Sequence, residues 1–542
     1  MIRREFLLRM LGASAASLFA GRALADAMAP MMHGGGMSAA MPGMAMAPTS
    51  GSAAPGMLAA ADALPSGAPL AALRRLANES RERGVFRATL IAQPSPRPLL
   101  PGQPATPFWL YDGGSEADAA QASGPVVGPL IDVHEGDTLE IRFVNRLAQP
   151  TTIHWHGLPV PADQDGNPSN PVAPGATHIY RFTLPGGSAG TYWYHPHPDR
   201  LSSEQVSRGL AGPIIVRAKN DPLAGWPERH LFVSDLRLAA DGNIPANGMM
   251  DWMNGREGQF VLVNGALRPQ WTVAGGERWR VWNACSARYL NLTLGAQHPF
   301  AQVGTDGGLL EAPRAGLTSL LLAPGERAEL VVSPPADAGE TTSVLMAAQY
   351  DRGKMAMSGG ELPPDPDRAL ADLRFAASAA DTQAERALPA RLRTIAPLGE
   401  AGAQKSVVFS EEMDMRAMMQ APGASASGMP RGMRFLVNGT TFEMGRATLT
   451  SRRGEVERWS IGNHSDMDHP FHLHGTQFQV LGREIGGKTR AEPFLAWRDT
   501  VNLRPGETVR IATVQRLPGD RMFHCHILEH EDLGMMGTLR VL

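Results

Sequence analysis

Two short sequence patterns each occur three times along the chain in the same order, and this repetition constrains the fold more than any other feature. Every copy of the first pattern has a glycine beside an acidic residue and then alternating apolar residues, which predicts a turn leading into a half-buried strand. The copies of the first pattern lie at 133–147, 273–285 and 451–463, and those of the second at 173–184, 323–333 and 504–514. Successive copies are about 140 to 180 residues apart, so the repeating unit is a domain and not a solenoid repeat.

The repeats predict an all-β protein built from three Greek-key β-sandwich domains. The 542 residues are enough for three such domains, and the 59 glycines and 44 prolines suit many short strands joined by turns. We place the domains at 81–220, 221–385 and 386–542, with a Met-rich insertion at 410–435 in the third. A formal net charge of −3 argues against a nucleic-acid partner, because no basic surplus is available to neutralise phosphates.

The first 25 residues predict an export signal. They contain paired arginines at 3–4, a weakly apolar stretch and an Ala-Leu-Ala processing site at 23–25, which is typical of a twin-arginine signal peptide. The apolar stretch between Arg9 and Arg22 is only about a dozen residues long, too short to span a bilayer. The sequence therefore predicts export by the twin-arginine machinery to the periplasm, with no membrane anchor in the mature form. Residues 26–80 are rich in Met, Gly and Ala, and we expect a disordered leader there.

Histidine pairs follow the repeated patterns in the first and third domains. HWHG and WYHPHP follow the two patterns in the first domain, and HPFHLHG and HCH follow them in the third. The second domain has no such cluster, since only His298 lies near an equivalent position. Because two like domains carry these pairs at matching positions, we expect one shared site at the interface of the first and third domains.

Strand geometry divides these side chains into two sets. Successive residues on a strand point to opposite faces, so His524 and His526 share one face while Cys525 points to the other. His469 lies three residues before His472, an odd step, and can point to the Cys525 side. That side then holds His469, Cys525, His530 and Met535. A trigonal set of two histidines and one cysteine with a long axial methionine is the ligand set of a blue-copper site.

The opposite face holds eight histidines, enough for a cluster of three copper ions. Peptide bonds join Cys525 to His524 and His526, so the two predicted sites are covalently connected. A single His-x-His pair is more often a surface feature than a metal site, and a lone cysteine on a strand is more often a core residue. Four pairs at repeated positions make that explanation improbable. Cys285 is the other cysteine of the two, so a disulfide framework is excluded.

The four histidine motifs and their order resemble the multicopper oxidases, in particular the three-domain laccases and the periplasmic copper-efflux oxidases, over about residues 85–542. The stretch YDRGKMAM at 350–357 is similar to the same bacterial group. The resemblance implies cupredoxin-like domains and four copper ions, one of type 1, one of type 2 and two of type 3. It implies that His154 and His472 hold the type-2 ion. The type-3 pair would then be held by His156, His195, His197, His474, His524 and His526.

The same resemblance implies a reaction. A reductant gives single electrons to the type-1 copper, and the electrons pass through Cys525 to the cluster, where O₂ is reduced to two waters. Four protons are also consumed, and Asp165 and Glu531 match acids that relay protons in relatives. For Asp165 the alternative is an ordinary Asp-Gly turn. The relatives have an aspartate where this chain has Ser465, which leaves the support of His469 open.

The methionines bear on the substrate. Thioethers are ligands for soft metal ions, so the methionines predict Cu(I) as substrate and a role in copper tolerance. These candidate Cu(I) ligands are Met355, Met357, Met413, Met415, Met418 and Met419. The methionines between Met28 and Met46, with His33, either bind Cu(I) or belong to a linker without function.

The first hypothesis is therefore a cuprous oxidase with laccase-like side activity towards phenols, and two alternatives to it remain. The first is a laccase for phenols or aromatic amines with incidental methionines. The second is a non-catalytic scaffold of the same fold, against which the complete ligand set argues. We expect the protein to be a monomer.

Overall fold

The computed structural model describes residues 57–113, 126–335, 339–356, 360–376, 387–414, 416–417 and 429–542. Within these ranges the predicted all-β architecture is confirmed, because thirty strands form six sheets and the helices are short. The helices are α1 (Ser202–Ser207), α2 (Met249–Asn254) and α3 (Leu528–Asp532), with 3₁₀ turns at Ala162–Gln164 and Gly295–Gln297. The predicted signal peptide, the leader before residue 57, Met357, Met415, Met418 and Met419 lie outside the described residues.

We keep the predicted ranges 81–220, 221–385 and 386–542 as the first, second and third domains. In the first of these ranges a four-stranded and a three-stranded sheet share one core, in the orders β2-β1-β4-β5 and β3-β7-β6. On β4 the alternate residues Leu139, Ile141 and Phe143 are buried in the core, as the repeated pattern predicts. Its strands are β1 (Val85–Pro94), β2 (Trp109–Gly113), β3 (Ile131–His134), β4 (Thr138–Asn145), β5 (Thr177–Thr183), β6 (Gly190–Tyr194) and β7 (Gly212–Arg217).

The second domain has a seven-stranded and a five-stranded sheet, in the orders β10-β9-β8-β12-β17-β14-β15 and β11-β19-β18-β13-β16. Its strands are β8 (Glu228–Leu236), β9 (Phe260–Val263), β10 (Ala266–Leu267), β11 (Gln270–Val273), β12 (Glu277–Asn283), β13 (Leu290–Leu294), β14 (Phe300–Thr305), β15 (Gly308–Leu317), β16 (Leu320–Leu322), β17 (Arg327–Val332), β18 (Thr341–Ala348) and β19 (Arg368–Phe375).

Strand β12 is buried on both faces. Trp279 and Val281 lie in the core of the second domain. Arg280 lies on the other face and donates hydrogen bonds to Thr191 Oγ1 of the first domain at 2.8 Å and to Glu329 Oε1 at 2.6 Å. Buried charges are stable only when they are paired, so the contact between the first and second domains depends on the pairing of Arg280 with Glu329.

The third domain has a six-stranded sheet in the order β21-β20-β23-β28-β25-β26 and a five-stranded sheet in the order β22-β30-β29-β24-β27. In the second of these sheets His472 on β24 lies directly opposite His524 on β29. Its strands are β20 (Ala403–Met413), β21 (Met433–Val437), β22 (Leu449–Ser451), β23 (Val456–Asn463), β24 (His469–Leu473), β25 (Phe478–Ile485), β26 (Lys488–Ala491), β27 (Thr500–Leu503), β28 (Glu507–Val514), β29 (Gly519–Cys525) and β30 (Met536–Val541).

Residues 57–80, which we call the strap, do not form the disordered leader expected from their composition. The strap makes bridges with Ala239, Leu267 and Gln270 of the second domain and with Leu130 of the first. The side chains of Leu64, Leu73 and Leu76 are buried. The prediction of disorder is therefore wrong for this segment, because its spaced leucines find apolar surface at the sheet edges that the local sequence does not reveal. No helix in the described ranges is long and apolar enough to cross a bilayer.

Candidate metal centre

A small buried site lies at one end of the third domain, where β24, β29 and α3 meet. His469 begins β24, Cys525 ends β29 and His530 lies in α3. Cys525 Sγ is 3.4 Å from His469 Nδ1 and 3.9 Å from His530 Nδ1, and the two Nδ1 atoms are 3.2 Å apart. All three side chains are fully buried. The structure thus brings together the two nitrogens and the sulfur that the strand argument assigned to one face.

The ring of His530 is oriented by the second domain. His530 Nε2 donates a hydrogen bond to the Met253 carbonyl at 3.2 Å, which leaves Nδ1 unprotonated and directed at Cys525. Met535 follows in a tight loop in which its N–H donates to the His530 carbonyl at 2.9 Å, and the Cys525 N–H donates to the Met535 carbonyl at 3.0 Å. Met535 is fully buried in the same core cluster as Cys525.

Burial determines the protonation states of the side chains in this site. It lowers the pKa of His469 to about 3 and raises the pKa of the Cys525 thiol. The imidazoles are therefore neutral nitrogen donors, and a thiolate needs a nearby cation to form. The donor set of two nitrogens, one thiol sulfur and a buried thioether in the adjoining loop fits a copper ion.

The eight remaining histidines converge in a second buried cluster between the first and third domains. His154 Nε2 is 3.3 Å from His472 Nε2, and His197 Nε2 is 3.2 Å from His524 Nε2, so both contacts cross the domain boundary. His474 Nε2 is 3.0 Å from His524 Nε2. Neutral ring nitrogens that face one another at such distances are suited to sharing cations. The members are His154, His156, His195, His197, His472, His474, His524 and His526, all with exposures of 1% or less.

Backbone carbonyls fix the tautomer of several of these rings. The Nδ1 atom of His195 lies 3.0 Å from the Pro196 carbonyl, that of His472 lies 2.9 Å from the Asp499 carbonyl, and that of His524 lies 2.9 Å from the Cys525 carbonyl. Each Nδ1 therefore donates, and each Nε2 is left as an acceptor for a metal ion.

His156 is oriented the other way round. Its Nε2 lies 3.0 Å from Asp499 Oδ1, and its buried Nδ1 has no hydrogen-bond partner among the described residues. His156 thus presents Nδ1 to the cluster.

The backbone around the first histidine pair differs from the expected strand. His154 lies in an isolated bridge with His195, with reciprocal N–H to carbonyl distances of 2.8 and 3.2 Å, and His156 is outside any strand. Both side chains still reach the cluster. The strand argument therefore holds along β29, whereas at HWHG the loop geometry directs the rings.

Both predicted proton-relay acids contact the histidine cluster. Asp165 Oδ1 is 3.1 Å from His154 Nδ1. Glu531 Oε1 is 3.4 Å from His197 Nε2, and Glu531 Oε2 is 3.2 Å from His524 Nδ1. Burial, and then the neighbouring Asp532, raises the pKa of Glu531 well above its ordinary value. Glu531 also lines a cavity of about 250 Å³, so it separates the cluster from a space that water can enter.

The second domain supplies support that sequence reasoning missed. Arg327 on β17 donates to Asp499 Oδ1 at 2.7 Å and to Asp499 Oδ2 at 2.6 Å, and Asp499 in turn holds His156. Gly325, in the turn before β17, has φ +85°, and a Cβ atom there would lie 2.9 Å from the His526 ring. The sequence feature that could have identified Asp499 is WRDTV at 497–501, in which this acid directly precedes strand β27.

Two of the six candidate Cu(I) ligands lie in the part of the chain that the structure describes. Met355 and Met413 are partly buried and pack against the core cluster that contains Cys525 and Met535. Met249 of α2, a methionine that sequence reasoning did not single out, packs against the same cluster. The Ser465 hydroxyl lies 2.7 Å from Asn463 Oδ1 and 3.1 Å from the Met467 carbonyl, so its single proton is directed at these acceptors and not at His469.

Comparisons with known proteins agree with this geometry. Two family models described as multicopper oxidase match residues 106–221 and 412–542. The chain is 30% identical to a multicopper oxidase of Staphylococcus aureus over 79% of this chain and 85% of the relative. It is 28% identical to a laccase of Bacillus subtilis over 85% and 95% of the two chains. A solved multicopper oxidase of Campylobacter jejuni, described as a metallo-oxidase, is 42% identical with a TM-score of 0.79, covering 90% of this chain and 97% of that one.

Proposed function

Because this chain belongs to the multicopper oxidase family, we propose that it couples one-electron oxidation of Cu(I) or a phenol to the reduction of O₂ to water. The observation that carries the proposal is the position of Cys525. Its sulfur forms a triangle with the Nδ1 atoms of His469 and His530 in the smaller site, while the residues on either side of Cys525, His524 and His526, belong to the larger cluster. An electron received at the sulfur therefore has a covalent path of a few bonds to the second site.

We assign four copper ions to the two sites. The type-1 ion would be held by His469, Cys525, His530 and Met535. The type-2 ion would be held by His154 and His472, and the type-3 pair by the other six histidines of the cluster. When bound, these ions accept electrons singly and supply four of them to O₂. The protein holds the donor atoms in neutral, buried rings whose orientation carbonyls and carboxylates fix beforehand.

The protons that O₂ reduction consumes would reach the cluster through two acids on different sides. Asp165 faces His154 and also lies 3.3 Å from His474 Nδ1. Glu531 contacts His197 and His524 and also lines the cavity of about 250 Å³. A carboxyl with a raised pKa is protonated near neutral pH and is suited to donate a proton.

The substrate is proposed to be Cu(I), with a role in copper tolerance. Met355, Met413 and Met249 pack against the core cluster that also contains Cys525 and Met535, and thioethers bind Cu(I) in preference to harder ions. The alternative is a laccase for phenols or aromatic amines, in which these methionines only fill space. A scaffold of the same fold would have no need for ten convergent histidines, so it is the weakest of the three.

We further propose export by the twin-arginine machinery to the periplasm, where the protein acts as a monomer. This proposal rests on the arginines at 3–4 and on the short apolar stretch behind them.

The test is steady-state O₂ consumption by the copper-loaded protein with Cu(I) and with 2,6-dimethoxyphenol, together with copper analysis. We expect about four copper ions per chain and turnover with at least one of these donors. A Met355→Ala, Met413→Ala double variant should raise KM for Cu(I) and leave phenol oxidation unchanged. Equal losses with both donors would favour the laccase over the cuprous oxidase, and absence of O₂ consumption with either donor would favour the scaffold.

A further inference from the structure

A cavity of about 260 Å³ lies where the second and third domains meet. Its walls come from β14 to β17 of the second domain and from β25, β26 and residues 492–498 of the third. None of the ligands assigned to the two copper sites lines it. Small-molecule sites occur preferentially at domain interfaces, so this cavity is a candidate for a binding site separate from the metal centres.

Four arginine side chains line the cavity, against two carboxylates. We call the four the arginine cluster, and its members are Arg314 on β15, Arg483 on β25, Arg490 on β26 and Arg498 before β27. The carboxylates are those of Glu326 and Glu492. Arg327 also reaches the cavity, but Asp499 already matches its charge. The lining therefore carries a surplus of two positive charges.

The ion pairs of the arginine cluster are long. Glu492 lies 3.4 Å from Arg483 Nε and 3.5 Å from Arg498 Nη2. Glu326 lies 3.7 Å from Arg498 Nη1. Glu507, which is outside the lining, lies 3.4 Å from Arg483 Nη1 but pairs with another arginine at 3.0 Å. A charge-assisted hydrogen bond between arginine and a carboxylate measures about 2.7–2.9 Å, so none of these three acids is a close partner of the cluster.

Arg314 and Arg490 have no acidic partner within ion-pair distance among the described residues. Arg314 Nη1 donates to the neutral Gln302 amide oxygen, and the Arg490 side chain makes no hydrogen bond or ion pair in that part of the chain. The guanidinium carbons of Arg314 and Arg498 lie 4.1 and 5.4 Å from the centroid of the same Phe494 ring. Burial, followed by the charge of Arg498, lowers the pKa of Arg314. An anion in the cavity would relieve this repulsion.

The rest of the wall is largely apolar. Leu320, Leu321 and Leu322 of β16 line the cavity together with Pro493 and Phe494. The volume is close to the lower end of the roughly 300–1,000 Å³ that small-molecule pockets occupy. The lining therefore suits a molecule with an apolar body and anionic groups better than a bare inorganic ion.

We propose that this cavity binds a small organic dianion, whose two charges meet the arginine cluster and whose apolar body packs on Phe494 and the leucines of β16. Guanidinium groups bind carboxylate and phosphate oxygens with the same forked geometry, so dicarboxylates and phosphate esters belong to one ligand class here. Such a ligand would join β15 and β16 of the second domain to residues 492–498 of the third. The site is independent of the proposed oxidase function, because no copper ligand takes part in it.

The test is isothermal titration calorimetry of the copper-loaded, full-length protein at pH 7.5 and constant ionic strength. The probes are isophthalate, a dicarboxylate, and phenyl phosphate, a phosphate ester, with benzoate as a probe that has the same ring and one charge. We expect isophthalate or phenyl phosphate to bind with a Kd below about 1 mM, and benzoate at least about tenfold more weakly. Which of the two dianions binds shows whether the site takes carboxylates, phosphate esters or both.

Two variants locate the binding. Arg314→Met and Arg490→Met each remove a guanidinium without an acidic partner, so each should weaken dianion binding about tenfold or more. The matched control is Arg458→Met, which lies on β23 of the same sheet as β25 and β26, outside the cavity, and donates to the Gly399 carbonyl. Its affinity should equal that of the parent protein. Arg490 is exposed, so its variant provides the binding test even if Arg314→Met folds poorly.

Thermal unfolding provides a second readout. A ligand that binds the folded state raises the melting temperature with its concentration, so isophthalate or phenyl phosphate should stabilise the parent protein and Arg458→Met but not the two cavity variants. Failure of both dianions to bind below about 10 mM would overturn the proposal, as would equal affinity for benzoate or undiminished binding in both cavity variants. A protein that binds a dianion here but consumes no O₂ would keep this site and refute the oxidase function alone.

Discussion

Cys525 connects the two candidate sites, because its sulfur lies in one site and the rings of its peptide neighbours, His524 and His526, lie in the other. Cys525→Ser should abolish the blue colour and the oxidase activity while copper remains bound to the histidine cluster. The thiolate is the source of the colour and the electron path, whereas the eight cluster rings keep their carbonyl and carboxylate partners. Visible absorption measures the loss of colour, and copper analysis measures the copper that stays bound. A variant that kept the visible band would contradict the assignment.

At Asp165 the supply of protons can be tested separately from the orientation of the His154 ring. His154 Nδ1 is 3.1 Å from both the Asp165 carboxylate and the Asp165 backbone carbonyl, so Asp165→Ala removes the acid and leaves one acceptor. We expect turnover with O₂ to fall about 100-fold while anaerobic reduction of the type-1 site by substrate keeps its rate. An O₂ electrode measures the turnover, and stopped-flow absorption measures the anaerobic reduction. Turnover equal to that of the parent protein would remove Asp165 from the mechanism.

At the scale of elements, β17 ties the second domain to the cluster through Arg327 and Asp499. Burial alone lowers the pKa of Arg327, but the carboxylates of Asp499 and Asp306 raise it above its ordinary value. Arg327→Met leaves Asp499 charged and buried without its bidentate partner, so the metal-free protein should lose about 3–5 kcal/mol of unfolding free energy. Copper content should also fall, because Asp499 fixes His156.

The matched control is Arg434→Met, which breaks an exposed ion pair with Glu412. That change should cost at most about 1 kcal/mol in the same denaturant titration. Equal stability of the two variants would show that the pairing of Arg327 with Asp499 contributes nothing measurable.

The elements divide into those the local sequence could predict and those it could not. The repeated turn-and-strand patterns predicted β4, β12, β23, β17 and β28, because alternation of apolar residues is a local property. The HCH motif likewise placed the Cys525 side chain on the face opposite to those of His524, which is on β29, and His526, which follows it. The reversed orientation of His156 depends on Asp499, which lies 343 residues away, so no local pattern contains it. No local pattern identifies Arg327 either, because the turn before it resembles the turns in the other two copies of the second repeated pattern, at 173–184 and 504–514.

The whole molecule depends on the strap for part of its stability. The buried leucines of residues 57–80 each contribute about 1.5–3 kcal/mol of apolar burial, partly offset by the entropy of ordering the segment. Deletion of residues 1–80 should lower the melting temperature by several degrees relative to deletion of residues 1–56, because only the first deletion removes the strap. Calorimetry of the two truncated proteins measures the difference. Equal melting temperatures would show that the contacts of the strap with both domains are not stabilising.

The histidine cluster draws its members from distant parts of the chain, and this has a consequence for the order of events on the ribosome. The four first-domain histidines emerge more than 270 residues before His472, the first of their third-domain partners. The first domain can bury its own core at once, yet it then exposes two half-built His-x-His pairs until the third domain docks. Nascent chains stalled before His472 should therefore bind divalent metal loosely and without selectivity. Binding of the proposed copper ions in their full number should then require β24 and β29 to be in place.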